Sequence, residues 1–286
     1  MIRCEVCFRH CILKEGQRGF CGARICTDGR VIPENYGRVT SIALDPIEKK
    51  PLKRFFPGSK IISVGSYGCN IRCPFCQNHE ISWSQQAMTF RDRADTFTPE
   101  QIAALAQHYR SDGNIGAAFT YNEPLTGFEF VRDTAKLIHE AGMKNVLVTN
   151  GTAGLWVLEQ LAPYIDAMNI DLKCFSEQVY RDVLGGDLKS VLDFISRAVQ
   201  VCHVEITTLI VPQLNDHEEE IRQISQWISS LADSSGRVIG SEIPLHISRF
   251  FPRFRMTDRE ATDVQHIYRL ADLAREQLKY VYTGNC

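Results

Sequence analysis

Short apolar runs and helical periods take turns along most of this chain. Runs that read as strands lie at Ile61–Ser66, Gly116–Tyr121, Asn145–Asn150, Ala167–Lys173, Val204–Val211, Ile243–Ile247 and Tyr280–Tyr282. Between them, apolar residues recur at helical spacing. One such segment opens at Thr98-Pro99-Glu100, and others cover Phe128–Ala141, Gly154–Leu161, Leu188–Val201, His217–Leu231 and Asp258–Lys279. Thr98 suits an N-cap and Pro99 the first helical position, while Gly142 ends the second helix. Strand–helix alternation predicts a parallel sheet with right-handed crossovers. Six such units and a final strand fit an α/β fold, a partial (open) (β/α)6 barrel of TIM type over residues 61–286.

Residues 1–60 have no long periodic segment and read as a small cysteine-rich N-terminal appendage. Cys4, Cys7, Cys11 and Cys21 follow C-x2-C-x3-C-x9-C, with Gly16, Gly19 and Gly22 supplying turns. Four thiolates in so short a stretch can staple a unit too small for its own core. Zinc and an auxiliary iron–sulfur cluster are both open here. Residues 38–60 read as a short strand followed by a basic, proline-bounded connection. Its Lys49, Lys50, Lys53 and Arg54 fit a solvated face, or a surface for an acidic partner such as a flavodoxin. RFFP occurs at 54–57 and 249–252, but nothing around it repeats.

With 286 residues, 44% hydrophobic and 23% charged, the chain can bury a full core. A net charge of -2 gives no footing for bulk nucleic-acid or anionic-membrane binding. No apolar run approaches the roughly 20 residues of a spanning helix, and MIRCEVCFRHC offers no signal-peptide core. A cytoplasmic protein is expected. The eleven cysteines then read as metal ligands rather than disulfides. Cys174, Cys202 and Cys286 stand alone and are taken as small buried hydrophobes; Cys26 is left unassigned.

The chemistry gathers where strands end, as in barrels of this kind. The first strand runs into Cys69, Cys73 and Cys76, spaced C-x3-C-x2-C. A structural zinc site takes four ligands, and a cubane iron–sulfur cluster takes one per iron. Three thiolates would therefore leave one iron open for chemistry. Later strands end in Thr120-Tyr121-Asn122-Glu123-Pro124, Thr149-Asn150-Gly151, Asp171-Leu172-Lys173, Val211-Pro212 and His246-Ile247-Ser248-Arg249. Asp171 and Lys173 flank Leu172, so both face one side of the sheet. They fit either a ligand site or an interior ion pair.

C-x3-C-x2-C with Phe75 before the last cysteine resembles the signature of the radical SAM enzymes. The GCN and CQN flanks, with YNEP, TNG and DLK downstream, are similar to the pyruvate formate-lyase activating enzyme branch. The cysteine-rich start and the YNEP and HISRF segments more nearly resemble the AmmeMemoRadiSam-system radical SAM proteins. The resemblance implies a 4Fe–4S cluster on Cys69, Cys73 and Cys76, whose open iron chelates S-adenosylmethionine. Reductive cleavage there would yield a 5′-deoxyadenosyl radical that abstracts hydrogen from substrate. It implies cofactor contacts for Phe75, Asn78 and Asn150, and a methionyl-ammonium site at Glu123 and the backbone of Asn122. Lys173 would take the methionyl carboxylate and Asp171 the ribose or a cation. Thr207 would offer adenine a hydrogen bond, and Val211 an apolar wall. His246 would position substrate or the adenosyl group.

Two departures matter. Tyr121-Asn122 replaces two glycines of the GGEP-like motif, and Val148 stands where activating enzymes carry an acidic residue, so their monovalent-cation site is expected to be changed or absent. Reduced flavodoxin or ferredoxin is the implied donor. Arg249, Arg253 and Arg255, interleaved with Phe250, Phe251 and Phe254, suit recognition of a peptide or carboxylate, or loop anchoring. The expected function is hydrogen abstraction from a protein or small-molecule substrate, with AmmeMemoRadiSam partner proteins. A glycyl-radical activase is the alternative enzyme, and a non-catalytic iron–sulfur or zinc scaffold or electron carrier is the alternative of another class. No acid–base catalytic residue is assigned.

Overall fold

The computed structural model describes residues 1–286. Its main sheet places eight strands side by side in chain order: β1 (Ser41–Pro46), β2 (Lys60–Gly65), β3 (Asn114–Thr120), β4 (Lys144–Thr149), β5 (Ala167–Asp171), β6 (His203–Ile210), β7 (Leu245–Arg249) and β8 (Val281–Gly284). β1 is antiparallel to β2 and every later pair is parallel. β1 and β8 do not pair, so the barrel stays open. Six helices make the crossovers: α1 (Pro99–His108), α2 (Phe128–Glu140), α3 (Leu155–Leu161), α4 (Leu188–Ala198), α5 (Glu218–Ser229) and α6 (Val264–Arg275). No helix is long and apolar enough to cross a membrane.

Local chemistry sets the helix ends. The Thr98 hydroxyl accepts from Gln101 N at 3.3 Å while Gln101 Oε1 accepts from Thr98 N at 2.8 Å, a reciprocal cap. The last helix starts later than its periodicity suggests. Thr262 donates to Ile210 O at 2.6 Å and accepts from Arg249 Nε at 2.6 Å, which holds residues 258–262 as a loop across two strand ends. Asp263 then caps α6 through His266 N.

Strand register stacks the interior side chains in layers. Ser63, Ala118, Val146, Ala167 and His203 lie in line. Above them come Val148, Asn169 and Glu205, with Gly65 beside Thr120. Asp171, Thr207, His246 and Tyr282 form the next row. The connection between β1 and β2 enters beneath the upper layers. Its Ile47, Leu52 and Phe55 pack on Ile61, Ala118, Val146 and Ala167, and Pro51 O accepts from Asn169 Nδ2 at 2.9 Å.

Lys49, Lys53 and Arg54 are exposed, as a solvated basic face requires, but Lys50 is not. Lys50 is 2% exposed, and its ammonium donates to Asp45 Oδ2 at 2.8 Å. Lys49 pairs with the other oxygen of Asp45 at 3.0 Å, and Arg54 lies 3.8 Å over the Tyr280 ring. The same Asp45 oxygen accepts from Ser63 and Tyr121 hydroxyls at 2.8 and 2.7 Å. Burial alone would raise Asp45, but these donors hold its carboxyl below the usual carboxylate range. Asp45→Asn leaves Lys50 buried without an anion. It is expected to cost on the order of 3–5 kcal/mol of stability, measured by chemical denaturation; a loss under about 1 kcal/mol would refute the pairing.

The appendage is two short hairpins, Ile2–Arg3 with Ile12–Leu13 and Arg24–Thr27 with Arg30–Pro33. The expected division at residue 60 falls inside the main sheet, because β1 belongs to it. Cys174 is buried and Cys202 half-buried, but Cys286 is exposed at the chain end, contrary to the expectation for isolated cysteines.

Candidate active site

The loop after β2 is held on several sides. Gly68 has φ +103°, and a Cβ there would come within 2.4 Å of Ala23 Cβ, so only glycine lets the appendage pack this closely. Cys69 N donates to Cys21 O at 3.2 Å. Asn70 Nδ2 donates to Thr152 Oγ1 at 2.7 Å, and Asn150 Nδ2 donates to Asn70 Oδ1 at 2.9 Å. Asn150 Nδ2 also lies 3.8 Å from Cys69 Sγ.

A cavity of about 650 Å³ opens beside this loop, within the roughly 300–1,000 Å³ of small-molecule sites. The sulfur-bearing residues Cys69, Cys73 and Cys76 line it, with Phe75 and Asn78 from the same loop. Asn122, Glu123 and Asn150 line it from the ends of β3 and β4. Asp171, Lys173, Thr207 and His246 line it from β5 to β7. Val211 does not: it is fully buried in the core, and Leu209 supplies the apolar wall instead.

Glu123 is a buried acid in the cavity wall. It is 3% exposed, and Oε1 accepts from the Thr149 hydroxyl at 2.7 Å and Leu125 N at 3.1 Å. Oε2 accepts from Asn150 N at 2.8 Å. All these donors are neutral, and burial pushes its pKa up to about 7. None of its hydrogen-bond partners is a cation. Because the folded chain keeps the proton up to about 7 and the unfolded chain loses it near the ordinary value of 4.5, the folded state binds more protons between them. The contribution to stability is therefore full below 4.5 and is lost as pH rises through about 7. Glu123→Gln is expected to flatten this limb in urea titrations from pH 5 to 8; an unchanged slope would argue against it.

Tyr121 shows what replaces the two glycines. It adopts φ +74°, in the left-handed region that glycine favours, and its ring turns inward over Gly65, where a Cβ would meet it at 2.8 Å. Asn122 Nδ2 donates to the carbonyls of Tyr67 and Gly68, each at 3.2 Å. Its Oδ1 accepts from Ser66 N at 3.0 Å, which binds the β3 rim to the cysteine loop.

Lys173 Nζ donates to Asp171 Oδ2 at 2.8 Å, so the interior ion pair is present within the cavity wall. Burial opposes the charge on Lys173, but Asp171 and Cys73 push its pKa up. Thr207 and Asn169 exchange hydrogen bonds at 2.9 and 3.0 Å. His246 Nε2 lies 2.6 Å from Glu205 Oε2, and the imidazole stacks on Tyr282. Glu205 is fully buried and also accepts from Lys53 N at 2.9 Å and Arg54 N at 2.7 Å, with His203 Nε2 3.0 Å away. Glu205 and Asn169 are not among the residues the sequence singles out; the signal was their alternation with Thr207 and Asp171 on one face of each strand. Arg255 lies over Trp83 and Phe254, and Phe254 stacks on His79 at 4.0 Å. That loop is thereby anchored on the cysteine loop.

The donor chemistry fits a soft metal. Burial and the charges of Glu123, Cys73 and Cys76 drive Cys69 well above the usual thiol range, and burial pushes Cys73 up to about 12. Such thiols keep their protons until a metal's positive charge takes their place. A cubane spreads its thiolates over separate irons.

Residues 63–228, more than half of the chain, match the profile of the Radical SAM superfamily. The chain belongs to the radical SAM superfamily. It is an enzyme of that class, whose chemistry is of the oxidoreductase type and whose cofactors are a 4Fe–4S cluster and S-adenosylmethionine. An uncharacterized protein of Methanocaldococcus jannaschii is 39% identical over 99% of this chain and 81% of its own length. The pyruvate formate-lyase-activating enzyme of Clostridium pasteurianum is 25% identical over 78% of this chain and 93% of its own. Streptococcus suis SuiB shares the fold at a TM-score of 0.58 and 13% identity, over 78% of this chain and 48% of SuiB.

Proposed function

We propose that this radical SAM enzyme binds its cluster through Cys69, Cys73 and Cys76 and its S-adenosylmethionine across the rim from Glu123 to His246, and acts with partner proteins in the AmmeMemoRadiSam manner. The observation that carries the reading is the single cavity in which three thiols, a cation-seeking carboxylate and the Asp171–Lys173 pair converge. When bound, the cluster and cofactor supply one-electron cleavage of a sulfonium and hydrogen-atom abstraction.

The chain's own groups bind and orient. Glu123 and the backbone of Asn122 take an ammonium, and Lys173 takes a carboxylate while Asp171 holds it in place. Asn150 and Thr207 offer hydrogen bonds, Leu209 and Phe75 offer apolar walls, and Asn78 borders the thiols. His246, fixed by Glu205, addresses the adenosyl group or substrate. Such fixed placement brings the reacting carbon beside its target hydrogen.

Anaerobic reconstitution with iron and sulfide tests the reading. With dithionite the protein is expected to convert S-adenosylmethionine to methionine and 5′-deoxyadenosine; a loaded protein that yields neither would refute it. Reduced flavodoxin or ferredoxin should replace dithionite. Activating-enzyme relatives favour one alternative, a glycyl-radical activase. A glycyl-radical resonance on an added protein partner would select it, and its absence would favour the AmmeMemoRadiSam assignment.

Cys4, Cys7, Cys11 and Cys21 are proposed to hold a second metal, zinc or iron–sulfur. A side chain starting at Gly19 would lie 3.9 Å from Cys11 Sγ and 3.7 Å from Cys21 Sγ. Burial raises the thiols of Cys7 and Cys21, and each also meets the charge of Cys4. Elemental analysis of a chain without Cys69, Cys73 and Cys76 reads this second site alone.

A further inference from the structure

Two guanidinium groups share one aromatic ring where the appendage meets the cluster loop. The Arg9 guanidinium lies 3.4 Å from the centre of Phe20 and that of Arg72 4.0 Å from it. Every oxygen they bond is a main-chain carbonyl. Arg9 donates to Asn70 O at 2.6 Å and to Gly185 O. Arg72 donates to Cys69 O at 2.6 Å, Ile71 O at 2.9 Å and Phe20 O. Neither is in an ion pair with a carboxylate; Arg72 holds the carbonyl of Cys69, whose N–H bonds Cys21 O at 3.2 Å, so the pair sits where the two cysteine groups join. Arg9 stands between Cys7 and Cys11 along the chain, and Arg72 between Cys69 and Cys73.

Both side chains are half-buried, and two like charges on one ring repel each other. Half-buried like charges on one ring are costly unless anions balance them. Protonated thiols carry no charge, whereas metal-bound thiolates do. The sulfurs that surround the pair come from both cysteine groups.

We propose that Arg9 and Arg72, stacked on Phe20, are the shared counter-charge of two thiolate-bound metal centres, and that they hold the reduction potential of the radical SAM cluster up. The shared part rests on the second metal site proposed above. Reduction adds negative charge to a cluster, so a neighbouring cation stabilises the reduced form; removing that cation lowers the midpoint.

The test is a redox titration of the reconstituted full-length protein, followed by electron paramagnetic resonance of the reduced cluster. Arg9→Gln and Arg72→Gln are each expected to weaken electron uptake about tenfold, a midpoint lower by about 59 mV. Arg9→Lys and Arg72→Lys keep the charge and should stay nearer the wild type than to the glutamine variants. A midpoint that does not move in the glutamine variants overturns the proposal. So does an equal fall in the lysine variants, which would assign the effect to the carbonyl hydrogen bonds. A chain with Cys4, Cys7, Cys11 and Cys21 all changed to alanine loses the second set of negative charges, so its cluster midpoint should rise. Should the glutamine variants hold no iron, this variant decides, and a midpoint that does not rise overturns the proposal. Elemental analysis of wild type against this variant shows separately whether a second metal was there to lose.

Discussion

With Cys69, Cys73 and Cys76 all changed to alanine, production of 5′-deoxyadenosine is expected to fall at least about a thousandfold, since the cofactor and not the polypeptide carries the difficult chemistry. The fold should survive. Hydrogen bonds from Asn70, Asn122 and Arg72 hold the loop without help from the thiols. Binding of S-adenosylmethionine should weaken as well, because Glu123 and Lys173 would hold only its charged ends. Iron and sulfide should drop by one cubane per chain, and whatever metal remains belongs to the N-terminal cysteines. Cleavage that persisted in this variant, at unchanged iron content, would remove the cluster from that loop.

Glu205→Ala is expected to cost on the order of 3–5 kcal/mol of stability. The carboxylate is fully buried between two main-chain donors and two imidazoles, and its loss strands all of them. Burial would raise its pKa, but His203, His246 and the Lys53 and Arg54 N–H groups hold it down to about 2. A lowered folded-state value means that the unfolded chain binds the proton first as pH falls. The stabilisation is therefore complete above 4.5 and lost as pH drops through about 2. Wild type should weaken more steeply across that acid window than Glu205→Ala, which keeps the slope due to Asp45, as read by guanidinium titration at several pH values. Equal acid slopes would show that Glu205 is not the group responsible. The window lies below that of Glu123, so the two carboxylates separate in one pH series.

The barrel was legible because its strands are short apolar runs and its helices are amphipathic, each signalled by its own period. The cysteine loop and the rim segments at Glu123, Asn150 and Asp171 were legible for another reason: their polar residues sit at strand ends, where sequence position and place in the fold coincide. What escaped depended on contacts distant in sequence. Lys50 looks like one of four surface cations until Asp45, Ser63 and Tyr121 close around it. Val211 shares a face with Thr207 by simple alternation, but the strand stops at Ile210 and the chain turns Val211 into the core. Glu205 reveals its role only through Lys53 and Arg54, about 150 residues upstream.

The segment between β1 and β2 makes the barrel a blind alley. With Ile47, Leu52 and Phe55 corking its far end, nothing can thread through from that side, and reactants must approach from the rim that carries the cysteines. A macromolecular substrate can thus offer only a protruding side chain, a tight loop or a terminus.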